Sequence, residues 1–177
     1  MVYIPAEDSY FFVHVLASFV KGKTVLDMGA GSGILSEAAL NARASSVFSV
    51  DIDPEAVEFL RLKRLTAIES DLFEKVSGLF AVILCNAPYL PEDSREGAEG
   101  KVAIVGGKRG DEFILRFLKQ ARAHLAPNGY ILLLLSSLTP RKRILALLKK
   151  QKMKHEVVGE KKLFFERLEI WKIQHKN

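Results

Sequence analysis

Two short stretches carry residues whose types and spacing could do chemistry: "LDMGAGSG" at 26–33 and "ILCNAPYL" at 83–90. In the first, Gly29, Gly31 and Gly33 follow an apolar run and precede a helical pattern. Such glycines permit a tight turn and close approach of backbone to a ligand, although spaced glycines alone also mark ordinary turns. Two acids add to them, for Asp27 stands just before the loop and Asp51 ends the next apolar run, 20 residues after Gly31. A carboxylate in the position of Asp51 accepts hydrogen bonds from a ribose diol. A dinucleotide fingerprint would read GxGxxG or GxGxxA, whereas Ile34 is bulky at the third position after Gly31. Asp27 would also repel a pyrophosphate. A ligand with an adenosine and a cationic amino-acid end suits these groups better, and S-adenosylmethionine is such a ligand. Asp71, in "ESDLF", is placed to accept from an adenine amino group, with Leu72 packing on the ring. The blander reading of Asp71 is a helix or turn cap.

The second stretch ends an apolar run in Asn86, Ala87, Pro88 and Tyr89. A planar NH2 group, in an amide or an aromatic amine, has a delocalised lone pair and is a poor nucleophile. The Asn86 side-chain oxygen and the Ala87 carbonyl could accept its two N–H bonds and stabilise positive charge growing on the nitrogen. Pro88 restricts Ala87 to extended backbone, and Tyr89 offers a flat face. An isolated Asn-x-Pro-Tyr would be a strand-end turn; behind a glycine loop and two spaced acids it reads as a grip for an NH2 acceptor. Cys85 reads as a small buried apolar residue rather than a nucleophile.

The elements that must position these groups alternate. "DSYFFVHVLASFV" (8–20) has helical periodicity with Asp8 or Ser9 as cap. "KTVLDMG", "SVFSVDID", "LTAIESD" and "LFAVILC" read as strands, with helices at "SGILSEAALNA" and from Pro54 onward. "DEFILRFLKQARAHL" is an amphipathic helix with Asp111 as cap, and "PNGY" turns the chain into the strand "ILLLLSS". A helix at "PRKRILALLKKQKM" precedes two closing strands, "KHEVVGEK" and "LFFERLEIWKI". The pattern predicts an α/β fold, a Rossmann-like seven-stranded, mostly parallel sheet with helices on both faces and a C-terminal antiparallel hairpin at one edge. Residues 1–177 are expected to form one domain.

The 177-residue chain is 49% hydrophobic and 27% charged with net charge +5, the composition of an ordinary soluble protein. The first residues carry acids where a signal peptide carries base, and no apolar run, Tyr130 to Leu135 included, is long enough for a membrane span. One cysteine excludes an intrachain disulfide and suits a reducing, cytoplasmic location. Four scattered histidines give no metal-ligand spacing, so no metal is expected. From Arg141 to Lys162 there are nine Lys or Arg against Glu156 and Glu160, which reads as a solvated helix face plus hairpin, or else a patch for an anionic partner.

The ordered motifs D-x-G-x-G-x-G, D-I-D-P, S-D-L-F and N-A-P-Y resemble those of class I S-adenosylmethionine-dependent methyltransferases with an NPPY motif. "VYIPAEDSYFF" (2–12) and "GGKRGDEFILRFL" (106–118) are similar to segments of the archaeal and eukaryotic HemK-like branch. The resemblance covers nearly the whole chain. It implies methyl transfer to the side-chain amide nitrogen of the glutamine in the GGQ motif of class I peptide-release factors, with Asn86, Ala87, Pro88 and Tyr89 orienting the glutamine. It implies that Pro5, Glu7, Asp8 and Ser9 close over the cofactor, and that Asp27, Gly29, Asp51, Ile52, Asp71 and Leu72 line its site. A small zinc-binding activator subunit of the Trm type would be the partner, and an exposed apolar edge near the second and third strands would support it. Ala87 departs from the family's first proline. The 25-residue connection from Asn86 to Gly110, with five glycines, suits an element that admits a protein segment. Two other functions remain: an adenine amino-group methyltransferase acting on DNA or RNA, without a target-recognition domain, and a non-catalytic binding subunit.

Overall fold

The computed structural model describes residues 5–86 and 110–176. Ala87, Pro88, Tyr89 and the glycine-rich connection up to residue 109 lie outside the described residues. The elements run α1 (Glu7–Leu16), β1 (Thr24–Met28), α2 (Ile34–Asn41), β2 (Ser46–Asp51), α3 (Pro54–Leu62), β3 (Thr66–Glu69) and β4 (Phe80–Cys85). After the undescribed stretch come α4 (Glu112–Ala121), a 3-10 turn, β5 (Leu125–Ser136), α5 (Lys142–Lys150), β6 (Met153–Lys162) and β7 (Arg167–His175). All seven strands join one sheet in the order β3-β2-β1-β4-β5-β7-β6. The first five neighbours pair in parallel, and β7 is antiparallel to both β5 and β6.

This is the mostly parallel sheet expected from alternating strand and helix patterns. The central strands β4 and β5 are covered on both faces, which is why they read as unbroken apolar runs rather than alternating ones. On α4, Ile114, Leu115, Phe117, Leu118 and Ala121 form the buried stripe at helical spacing, with Arg116 and Lys119 outside it. Pro54 opens α3 behind Asp53, whose carboxylate accepts from the Glu55 N–H at 2.9 Å.

Two local expectations change. "PNGY" is not a turn before β5 but part of it, where the pairing register with β4 shifts between Phe80 and Val82. Asn128 takes left-handed backbone there (φ 61°), and any side chain at Gly129 would meet the Phe80 carbonyl at 2.9 Å. The closing antiparallel hairpin lies at an edge as expected, with β7 as its inner strand and β6 the outer one. Asp111 heads α4 without capping it through its side chain; its buried carboxylate accepts from Arg143 Nη1 at 2.9 Å.

Chain order reverses at β1, with β2 and β3 on one side and β4 and β5 on the other. That reversal opens a crevice at the carboxyl ends of the strands. Met28 and Cys85 are register partners, so the glycine loop and Asn86 leave adjacent strands at the same level.

Candidate active site

Alternation along β1 turns Asp27 to the same face as Val25. Asp27 is 1% exposed, and its Oδ2 accepts from Ser36 Oγ of α2 at 2.7 Å. The same hydroxyl lies 2.7 Å from Ser49 Oγ, on the strand residue paired with Asp27. Asp27 Oδ1 is buried with no partner among the described residues. Burial pushes this carboxyl up to about 6; the Ser36 hydrogen bond opposes the rise and the Asp51 charge adds to it. A buried, half-satisfied carboxylate is a receptor for a cation.

The loop above it is held by strand β2. The N–H groups of Gly29 and Ala30 donate to the Val50 carbonyl at 2.8 and 3.0 Å. Gly31 N–H donates to Asp51 Oδ2 at 2.7 Å, and Asp53 N–H donates to Asp51 Oδ1 at 2.9 Å. Each carboxylate oxygen keeps a lone pair for a further donor. Gly29 has φ 73° and nothing within 4 Å of where a Cβ would stand, so the loop faces open space. Gly33 differs: at φ 79° its Cβ would meet Leu60 Cδ2 at 2.6 Å, so it serves packing of α2 against α3.

Past β3, Asp71 is paired with Arg116 Nη2 of α4 at 2.7 Å. Leu72 holds left-handed backbone (φ 50°), an unusual conformation for a branched residue, and its side chain is buried in the main core. The apolar face expected of Leu72 is therefore turned inward. Ile52, 64% exposed beside Asp51, offers one instead.

At the end of β4, Asn86 Nδ2 donates to Asp8 Oδ2 at 2.8 Å and lies 3.4 Å from Ser9 Oγ. A carboxylate only accepts, so this contact fixes which way the amide faces. Asn86 Oδ1 is thereby turned away from Asp8; it is buried and has no partner among the described residues. Asp8 and Ser9 do not cap α1, whose N-cap is Ala6 without a side-chain bond. Instead they lie in its first turn, buried against the Asn86 amide. Pro5 is half-buried just ahead of the helix, and the exposed Glu7 stands 3.8 Å from Lys161 of β6. Cys85 is fully buried, and burial pushes its thiol up, which makes it inert.

The structure thus gathers Asp8, Ser9, Asp27, the glycine loop, Asp51 and Asn86 at one sheet edge. The sequence motifs do not single out Ser36, Ser49 or Arg116. The two serines sit among apolar residues of α2 and β2, a signal that could have marked them as buried partners of Asp27; Arg116, on the exposed face of its helix, carried none.

A doubly wound parallel sheet with a left-handed glycine loop, a strand-end acid and a held amide at its switch point defines a class I methyltransferase. The chain belongs to the methyltransferase small domain family, whose family model matches residues 7–165. A Methanocaldococcus jannaschii protein, provisionally named a protein N5-glutamine methyltransferase, is 39% identical over 177 aligned positions, covering 96% of this chain and 89% of that one. A release factor glutamine methyltransferase of Aquifex aeolicus is 32% identical across 60% of this chain, but the match spans 44% of that longer protein. Among solved structures, the E. cuniculi Mtq2-Trm112 complex, responsible for methylation of the eRF1 translation termination factor, superposes with TM-score 0.80 at 26% identity, covering 99% of both chains.

Proposed function

We propose that this chain methylates the side-chain amide nitrogen of the glutamine in the GGQ motif of a class I peptide-release factor, using S-adenosylmethionine. The observation that carries the reading is Asn86 Oδ1: a buried acceptor without a partner among the described residues, aimed by Asp8, at the level of the glycine loop. The names of the M. jannaschii and A. aeolicus relatives support the glutamine acceptor, and the E. cuniculi complex, which methylates eRF1, supports a termination factor as substrate.

The residues present fit the cofactor. Asp27 Oδ1, without a partner among the described residues, suits an ammonium group, and the open space at Gly29 leaves room for a ligand beside the loop. Asp51 would accept from ribose hydroxyls, while Ile52 and Asp71 would flank the adenine, with Leu72 behind them. Pro5 and Glu7 stand at the rim. When bound, S-adenosylmethionine supplies a sulfonium methyl whose C–S bond breaks as the acceptor nitrogen's lone pair forms the new N–C bond. Asn86 Oδ1 accepts one N–H of the glutamine amide and stabilises the positive charge that grows on nitrogen, before the surplus proton leaves to solvent. The Ala87 carbonyl would accept the second N–H, and Tyr89 would lie against the amide plane.

A small activator subunit, of the kind present in the E. cuniculi complex, is part of this proposal. Its support here is β3, an edge strand beside exposed Phe48, Phe59 and Leu62.

Labelled methyl transfer tests the function. Label on an intact release factor, absent when its GGQ glutamine is changed and absent with Asn86→Ala, is the expected result. Label on an adenine-containing oligonucleotide instead would overturn it.

A further inference from the structure

The turn between β6 and β7 carries Phe164 and Phe165, 92% and 85% exposed, with ring centroids 4.6 Å apart at 84°. Both rings stand in water, yet the turn beneath them is fixed. Leu163 N–H donates to the Glu166 carbonyl at 2.8 Å, and the Glu166 side chain accepts from Ser136 Oγ at the end of β5. Arg167 and Ser137 exchange two further bonds, at 2.8 and 3.0 Å. Aromatic side chains have only two torsions each, and on a fixed turn they lose little conformational entropy when covered, which is the condition for a binding anchor.

Its position is equally specific. Because β7 runs antiparallel to β5 with Ser136 opposite Leu168, the turn projects past the carboxyl ends of the parallel strands, the edge that holds Asn86. Cys85 pairs with Leu133, which pairs with Trp171. At about 3.3 Å per residue and about 4.8 Å between strands, Phe165 lies roughly 20 Å from Asn86. A standard protein interface of ~800 Å² per partner is about 30 Å across, so one footprint covers both. The outer strand also touches the helix that aims the amide: Lys161 Nζ is 3.8 Å from Glu7 Oε1, next to Asp8. Gly159 of β6 lies so close to α1 that a Cβ would meet Val15 Cγ2 at 2.8 Å.

We propose that the Phe164–Phe165 tip of the β6–β7 hairpin is a docking point for the body of the protein substrate while its acceptor glutamine reaches Asn86. The inference rests on the release-factor reading above. A protein partner fits better than a nucleic acid, because the two arginines at the hairpin base are already paired. Arg167 and Arg141 hold the buried Glu169 at 2.8 and 2.9 Å. Edge-to-face rings, moreover, pack against aliphatic side chains rather than presenting parallel faces for stacked bases.

The test uses the full chain, with its activator subunit where turnover needs one, and the double variant Phe164→Ser/Phe165→Ser. Methyl transfer is measured to an intact class I release factor and to a short GGQ peptide, alongside S-adenosylmethionine binding. The expected result is a KM for the intact factor raised tenfold or more, with kcat, peptide transfer and cofactor binding unchanged. An unchanged KM for the intact factor, with the wild-type chain active on both acceptors, overturns the docking proposal and leaves the function standing. Equal losses on factor and peptide also overturn it, since the tip would then support the catalytic edge rather than dock a substrate. No transfer by the wild-type chain to either acceptor refutes the function and the docking together.

Discussion

Asp27 is a carboxylate that folding places in a nearly waterless position and, among the described residues, satisfies on one oxygen only. Its carboxyl is raised from 3.8 to about 6, so the folded protein binds this proton more tightly than the unfolded chain does. The sign follows: Asp27 costs stability above its folded pKa, and that cost is relieved as pH falls from about 6 toward 4. Asp27→Asn should therefore stabilise the unliganded protein by roughly 1–3 kcal/mol at pH 8, at ~1.4 kcal/mol per pKa unit, and by much less at pH 4.5. Urea denaturation at the two pH values checks this, and calorimetry on the same variant should show S-adenosylmethionine affinity reduced at least tenfold. Asn86 and Asp8 form the second residue-scale pair. Asn86→Ala removes the acceptor, with an expected fall in kcat of about 10²–10³, the usual effect of losing one preorganised group at a reacting centre. Asp8→Ala leaves Asn86 but releases its amide, and a fall of about tenfold or more is expected. Asp8→Asn should recover much of that, since its own amide oxygen can accept from Asn86 Nδ2. Single-turnover methyl transfer separates the three.

At the scale of elements, the glycine loop does two jobs with one residue type. Gly29 leaves room for a ligand, while Gly33 allows α2 to start directly against Leu60 and Leu65. Gly33→Ala forces a Cβ to within 2.6 Å of Leu60 in left-handed backbone. The expected loss is about 2 kcal/mol or more, combining conformational strain with displaced packing; the shift in urea midpoint measures it. Helix α1 is the other element that matters. Its first turn orients Asn86, and Phe12 and Leu16 are buried in the main core. The basic run 141–162 resolves into the exposed side of α5, two anchored arginines and the outer strand β6.

Across the whole molecule, the sheet has two edges of different character. The β6 side is joined to α1, whereas β3 is short and flanked by exposed apolar residues, among them Leu62 at 77% exposure. Leu62→Glu should weaken association with the activator subunit tenfold or more while changing stability by less than about 0.5 kcal/mol, as exposed substitutions do. Isothermal titration and thermal melts check the two halves. The sequence by itself determined the element types, the doubly wound architecture and the identity of the glycine loop, Asp27, Asp51 and Asn86. Those depend on local periodicity and on the rule that ligands gather at strand ends, which are written in linear spacing. Only the tertiary structure decided that β7 enters between β5 and β6, that Asp71 is engaged by Arg116, and that Leu72 faces inward while Ile52 faces out. It alone showed that Asp8, 78 residues away, aims Asn86. Side-chain partnership between distant segments has no periodicity to betray it, because it arises only when packing brings the elements together.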